Sequence, residues 1–463
     1  MSDKNFRREK LRKYKLITVA MALACMTHGS AFAQNYEVSN ATELKTALTK
    51  ATAADTISFK NDIDMSGANS IDLTNKNITI NGAGFGITSS RNFALLVKQK
   101  GNLILNNIGR VDNDYNVISS FNNSQDKQGN WGGPITTQNK AGTVTYDENS
   151  KLIINKSVFA DNFAGTDGGA IGLQTLDFDI KNSVFINNSS GQEGGAIWAE
   201  ANFGNIENCY FRGNFVRDKK TNTSIGGAIA NYSYYDNRPA YIDNISGTFI
   251  ENYSYNVGGA IVNRQSKADA TINKISGTFN SNYSIQTGGA IANAAGTINS
   301  IDGTFTKNYL LNTNTSTGNV SGATLLKLNE SLGGAISNTN TGGGNEATND
   351  SHIKSITGEF IGNFINTKNG KAYGGAIYNA GIIDEISGIF KDNYVYTEGT
   401  ADNLALGGAI YSTRNLTITS GKNGTLFSGN YSATKTQGRN YNAIYMGSAD
   451  ATLYLIPKSG KTI

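Results

Sequence analysis

Gly-Gly-Ala-Ile occurs eight times in this chain, beginning at Gly168, Gly194, Gly226, Gly258, Gly288, Gly333, Gly374 and Gly407. Every copy follows a Phe-x-x-Asn unit, starting at Phe159, Phe185, Phe211, Phe249, Phe279, Phe305, Phe360 and Phe390. A ninth unit at Phe427 leads to a worn copy, Tyr441-Asn442-Ala443-Ile444. An early worn pair joins Phe121 to Gly132-Gly133-Pro134-Ile135. Successive copies lie 26, 32, 32, 30, 45, 41 and 33 residues apart. Self-similarity at such a period means stacked units that bury a shared core. Because insertions collect between fixed motifs, the motifs form the packed part and the insertions are loops.

The segments between motifs are short, rich in Ile, Thr, Val, Phe and Tyr, and without a helical stripe, which reads as strand. Gly-Gly allows a tight corner or a close backbone approach. Ala and Ile then place a small and a branched apolar group in a narrow interior. Phe-x-x-Asn puts Phe inward and Asn at a bend, where its amide can bond the backbone. Stacking would align the phenylalanines into aromatic columns and the asparagines into ladders. The expected fold is all-β: a parallel β-solenoid of coils about 4.8 Å apart, forming a rod on the order of 60 Å long. A β-propeller would need more uniform blades of about 40–50 residues, and the 26-residue spacing is too short.

The chain has 463 residues, 53 Gly, 3 Pro and 16% charged residues, as an ordered β protein with a polar surface would. Its formal charge is +4, but residues 1–33 contribute +5, leaving −1 for the remainder. A near-neutral rod has no footprint for nucleic acid. Cys25 lies in the leader and Cys209 in the body, so no disulfide forms after cleavage, and Cys209 is expected as a small buried apolar residue.

Residues 1–33 read as a cleavable signal peptide of the bacterial kind, with a basic start, an apolar run from Leu16 to Cys25, and Ala31-Phe32-Ala33 as the cleavage site. Residues 34–60 read as an N-terminal cap and first strand. Asn40 to Glu43 resembles a capping box, followed by a short helix and by Thr56 to Phe59 as strand. A helix over the first coil would shield open strand edges. Residues 61–150 read as early coils with a polar excursion at 122–150, in which Gly142 to Asp147 forms one arm of a hairpin. Residues 151–450 are the repeat helix, and 451–463 begin a further coil. The absence of an obvious stop cap there reads as the N-terminal portion of a longer product. Three excursions interrupt the repeats: Asn231 to Asn237, Leu310 to Ser331 and Asn338 to His352. The first contains Tyr232, Tyr234 and Tyr235, which are the candidate binding residues, since rigid aromatics beside adaptable amides make good contacts. As surface insertions, the same loops need no function at all.

The paired Gly-Gly-Ala-Ile and Phe-x-x-Asn motifs resemble the polymorphic outer membrane protein repeat, and the leader, cap and polar solenoid look like an autotransporter passenger. The resemblance covers roughly residues 35–460. It implies a right-handed parallel β-helix with a short N-terminal helical cap. It also implies export by a type V route and display at the cell outer membrane. Such proteins carry a C-terminal translocator barrel, which this sequence lacks, so tethering is implied by the family alone. The motif residues carry over as core positions.

Solenoids also host polysaccharide lyases and hydrolases. The mature chain has one histidine, His352, placed in a polar insertion without a fixed carboxylate neighbour. Neither a metal set, a nucleophile elbow nor a phosphate loop is visible. Asp161, Asp167, Glu193 and Glu251 lie near the motifs and read as solvated turn residues that do not recur in register. The expectation is therefore a non-catalytic adhesin-like passenger without cofactors. Its partner would be a host surface, a glycan or a second copy of itself. The alternatives are a polysaccharide-cleaving enzyme on the same fold and a structural stalk for another domain.

Overall fold

A computed structural model describes residues 33–53, 55–89, 93–97, 100–123, 133–137, 150–174, 176–200, 202–217, 224–233, 238–312, 330–340, 350–368, 370–401 and 404–463. Residues 1–32 of the expected leader and the expected hairpin arm at 142–147 lie outside these residues.

The chain winds into a parallel β-helix. One sheet of 12 strands holds the strands after the Gly-Gly corner, from Ile71–Asp72 to Ile444–Met446, stacked in sequence order. A 21-stranded assembly holds the phenylalanine strands and the segments leading into them, and a 9-stranded sheet holds the short strands after Phe-x-x-Asn. Between coils the register is motif on motif: Phe249 lies opposite Phe279, Ile261 opposite Ile291 and Tyr253 opposite Tyr283. Equivalent motifs occupy continuous columns, not separate blades, which rules out the propeller.

Each phenylalanine from Phe121 to Phe390 in this column is fully buried. From Phe185 to Phe427 the rings stack at centroid distances of 4.7–4.8 Å with planes within 9° of parallel. Face-to-face stacking is not the preferred geometry of an isolated ring pair; the strand spacing imposes it. Beside the rings runs an amide ladder. Asn162, Asn188, Asn214, Asn252, Asn282, Asn308, Asn363 and Asn393 each donate through Nδ2 to the Oδ1 of the next member, ending at Asn430, at 2.8–3.0 Å. Each also donates to a phenylalanine carbonyl of an earlier coil, as Asn282 does to Phe249 at 2.9 Å. A buried amide column with its protons and lone pairs used is stabilising, whereas a half-satisfied one would not be. The residue before each of these asparagines turns the corner at positive φ, for example Asp161 (55°), Glu251 (55°) and Ser281 (55°).

The Gly-Gly corner needs glycine twice. Gly258 sits at φ 65°, and a Cβ on Gly259 would lie 2.1 Å from the carbonyl oxygen of Gly289. The alanines and isoleucines that follow are wholly buried. At the start of the rod the helix Ala41–Lys50 buries Leu44, Ala47 and Leu48. Asn40 Oδ1 accepts from the Glu43 N–H at 3.0 Å, and Glu43 Oε2 accepts from the Ser39 N–H at 2.7 Å. The reciprocal bond thus reaches one residue further out than in a strict capping box. Cys209 is buried as expected, and burial pushes its thiol up to about 12.

The three excursions are narrower than the sequence implied. Asn231 and Tyr232 belong to the strand Ile229–Ser233, Leu310 to Tyr309–Asn312, Asn338 to Ile336–Thr339, and His352 opens His352–Ile361. Strand pairing continues through polar residues because their amides are bonded between coils. Among the described residues, no helix is long and apolar enough to cross a membrane.

Candidate functional site

Along the 12-stranded sheet, alternate side chains face opposite ways. Ile197 and Ala199 enter the main core, whereas Trp198, Ala230, Val262 and Ala292 form a second apolar cluster with Ile225 and Val257. Three residues beyond each buried isoleucine, the outward column reads Gln174, Glu200, Tyr232, Arg264, each opposite the next. The residue before each Gly-Gly forms a neighbouring column, in which Asp167 bridges Glu193 and Glu193 bridges Ile225. Where the columns meet lies a buried ionic cluster: Asp167, Glu193, Glu200, Tyr232 and Arg264, none more than 7% exposed.

Its geometry is specific. Trp198 Nε1 donates to Glu193 Oε2 at 2.9 Å, and Arg264 Nη1 lies 3.7 Å from Glu193 Oε1. The Arg264 guanidinium stacks over the Tyr232 ring at 4.7 Å, and Gln174 Nε2 reaches Glu200 Oε2 at 3.4 Å. Three carboxyl groups thus lie in one buried cluster with a single guanidinium, which faces Glu193. Burial raises the Glu193 carboxyl to about 7, against the pull of Arg264 and of the Trp198 N–H. Burial also holds Asp167 well above the usual carboxylate range, reinforced by the charges of Glu193 and Glu200. Isolated buried charge is too costly to keep, so a proton is retained instead.

Three sequence expectations fail here. Asp167 and Glu193 are not solvated turn residues but adjacent buried members of one column; Asp161 and Glu251 are exposed. Tyr232, expected on a loop, is a strand residue packed beneath Arg264, while Tyr234 and Tyr235 lie outside the described residues. His352 does have a carboxylate partner: its Nε2 lies 2.9 Å from Asp384 Oδ1, supplied by the next coil. Sequence reading also missed Glu200 and Arg264, although aligning the repeats on Gly-Gly-Ala-Ile puts both at one position. It missed a second amide ladder too, Asn231, Asn263, Asn293, Asn338 and Asn379, joined at 2.8–2.9 Å. That ladder was legible as an Asn two residues after the isoleucine in five consecutive copies. Among the described residues no set of three His, Cys, Asp or Glu is arranged to hold a metal ion.

The outer surface carries a different feature. On the 9-stranded sheet Tyr253, Tyr283, Tyr309, Phe364, Tyr394 and Tyr431 stack in sequence at 4.4–5.1 Å, half-buried, with their edges along the rod. Tyr411 stacks on Tyr373, Tyr378 and Tyr445 in a second group.

Residues 182–200 match the family model of the Chlamydia polymorphic membrane protein repeat. The matched stretch holds Phe185, Asn188 and the corner Gly194 to Ile197, together with Glu193, Trp198 and Glu200 of the cluster. The chain carries a repeat of polymorphic membrane protein type. No curated protein and no solved structure matches it.

Proposed function

We propose that this chain is the surface-exposed, autotransporter-like passenger of an exported protein and acts as a non-catalytic binding rod for a host surface, a glycan or a second copy of itself. It would reach the outer membrane behind a cleavable leader and be held there by a translocator barrel. The observation that carries this reading is the polymorphic membrane protein repeat set in a helix whose outer columns repeat coil after coil. A stiff rod bearing equivalent groups at the coil pitch can sum many weak contacts by avidity. The tyrosine ladder supplies such a face, with hydroxyl groups on a rigid aromatic support.

Polysaccharide cleavage requires carboxyl groups open to a sugar chain. The one group of three carboxyls described above is enclosed, which favours binding over turnover. Display of the chain on an inert bacterial surface tests the proposal. Displaying cells should adhere to epithelial cells, to immobilised glycans or to one another more than cells displaying an unrelated β-helix. Equal adhesion in all three assays would refute it.

A further inference from the structure

One element of the rod stands apart from the parallel coils. The segment from Arg110 to Ser119 leaves the helix as an antiparallel hairpin, pairing Val111 with Val117 and Arg110 with Ser119. Gly109, at φ 73°, starts it; a Cβ there would lie 2.4 Å from the Ser119 carbonyl oxygen. Asp112 closes the tip, with Oδ1 accepting from the N–H groups of Asp114 and Asn116 at 2.9 and 2.8 Å. The hairpin is fastened down at its far end. Tyr115 stacks on Tyr210 at 3.9 Å with planes 8° apart, and Arg212 Nη2 donates to the Tyr115 carbonyl at 3.2 Å. Val111 packs on the outward cluster of Val158, Ala160, Val184 and Ile186.

Beneath it the rod has a floor of a particular kind. Asn107, Lys156 and Asn182 occupy the corner of three successive coils, each at φ 51°. Between this corner row and the hairpin lies a groove of about 450 Å³, lined by Arg110, Lys156, Asn107, Asn182, Val158 and Val184 among others. That volume falls within the usual range for small-ligand sites. None of the described residues lining it is acidic. Arg110 is held at the rim because its Nη1 donates to the Gly84 carbonyl at 2.9 Å. Asn182 is held by its neighbours, donating to Asn155 Oδ1 at 3.0 Å and accepting from Asn208 Nδ2 at 2.8 Å. The Arg212 guanidinium lies 5.9 Å from the Tyr210 ring, beside the hairpin tip that both residues hold.

We infer that this groove is a binding site for a carboxylated sugar. The inference rests on the binding-rod reading and specifies a ligand class for it. Two cations on one groove call for an anion, and a guanidinium or ammonium pairs well with a carboxylate. The corner amides offer donors and acceptors for hydroxyl groups. Val111, half-buried at the groove wall, gives the apolar surface that the carbon face of a sugar ring covers. A bare inorganic anion would use the cations and leave the rest idle.

The full mature chain, residues 34–463, is titrated with N-acetylneuraminic acid and with galacturonic acid, and binding is followed by calorimetry and by saturation-transfer NMR. Galactose serves as the neutral control and sodium sulfate as the competitor. Both acids should bind while galactose does not, and sulfate should compete only weakly. R110Q should weaken binding about tenfold, the loss expected for one charge-assisted contact. Lys156→Asn should do the same, and Asn tolerates the left-handed corner. Unchanged hydrogen exchange in the coils at 151–212 checks that the variants are folded. Unaltered binding in the double variant overturns the site, as does sulfate displacing either acid on equal terms. The outcomes separate the two proposals. A displayed double variant that loses both acid binding and adhesion to cells supports both, and one that loses acid binding yet adheres like the parent overturns the groove as the rod's ligand site. Adhesion without any acid binding by the parent chain removes the groove alone. Acid binding without adhesion removes the display reading alone.

Discussion

The coils at 151–212 and those at 240–361 carry the same motifs yet solve the segment between them differently. In the first two of the earlier coils the strands Lys151–Asn155 and Asp177–Lys181 end at a left-handed residue, Lys156 or Asn182, before the phenylalanine strand begins; in the third the left-handed residue, Asn208, already lies inside the continuous strand Phe203–Arg212. Ser157 and Ser183 fill the turn, and the Ser183 hydroxyl donates to the Lys181 carbonyl at 2.7 Å. In the later coils the turn is gone. Ala240–Ile250, Ala270–Asn280, Thr297–Thr306 and His352–Ile361 run through as single strands. The column that held Ser157, Ser183 and Cys209 now holds Gly247, Gly277, Gly303 and Gly358. The interior changes at the same place. Two positions after the corner isoleucine, Leu173 and Ala199 give way to the ladder that starts at Asn231. Phenylalanine rows and glycine corners are therefore the invariant frame, and two local chemistries fit it. The ionic cluster straddles the junction, with Asp167, Glu193 and Glu200 on the earlier coils and Tyr232 and Arg264 on the later ones.

The largest effect should come from adding one methyl group to the later column. A Cβ on Gly277 would lie 1.9 Å from the Gly247 carbonyl oxygen, on a backbone at φ 123°. Gly277→Ala should cost about 4 kcal/mol or more, since two paired strands must separate. Ser183→Ala, in the same column of the earlier coils, loses the hydroxyl's bond to the Lys181 carbonyl and the acceptor of the Ser157 N–H, and should cost about 2 kcal/mol. Each coil contacts only its neighbours, so the readout is local hydrogen exchange, not one melting temperature. Equal protection in the two variants would mean that the two columns are not differently built.

Exchanging the interiors comes next. Asn293→Leu leaves Asn263 without its Oδ1 acceptor and Asn338 without its Nδ2 donor, both inside the core. Leu173→Asn places an amide between apolar neighbours. Each should cost about 2–3 kcal/mol, set by unpaired buried polar groups. Exchange protection falling by less than a factor of ten in the affected coils would show that the ladder carries little weight.

These outcomes bear on how much the sequence reveals. The frame was readable because Phe, Asn and Gly recur at fixed offsets and each can do one thing in a stacked coil. The cluster was not, because no single repeat contains it. Asp167, Glu200 and Arg264 come from three copies and look like ordinary turn or strand polars until the coils are stacked. Tyr232 misled for the converse reason. Its tyrosine-rich surroundings signal a loop, yet its position three residues after Ile229 already assigns it to the strand column. The change from corner to straight strand was hidden as well, since Lys156-Ser157 and Ser246-Gly247 are both plausible turn pairs.

The junction should respond to pH. Folding raises the Glu193 carboxyl from an ordinary 4.5 to about 7. A group raised in this way favours the folded state fully below its unfolded value, and that contribution is lost as pH rises through the folded one. Between pH 5 and pH 8 the coils holding Glu193 and Arg264 should therefore open more readily as pH increases, after correction for intrinsic exchange. The coil at Phe427, remote from the cluster and without a histidine, should not change. Glu193→Gln should flatten the dependence and keep the Trp198 bond. A profile that steepens towards acid would place the ion pair, not the retained proton, in control.

The smallest effect gives the sharpest contrast, because it changes sign between the two regions. Lys156 holds a left-handed corner at φ 51° and is exposed, whereas Lys274 lies within the straight strand Ala270–Asn280. A non-glycine residue at a left-handed position carries a steric cost of about 1 kcal/mol, which Lys156→Gly relieves. Lys274→Gly has no such strain to release and adds chain entropy to the unfolded state, at a cost of about 1 kcal/mol. The first substitution should slow exchange around the corner and the second should speed it in the strand. If both speed exchange, the corner is held by its neighbours firmly enough that its own backbone preference no longer matters. Two substitutions of the same residue type, a little over a hundred positions apart, thus decide whether the earlier coils turn by local preference or by stacking alone.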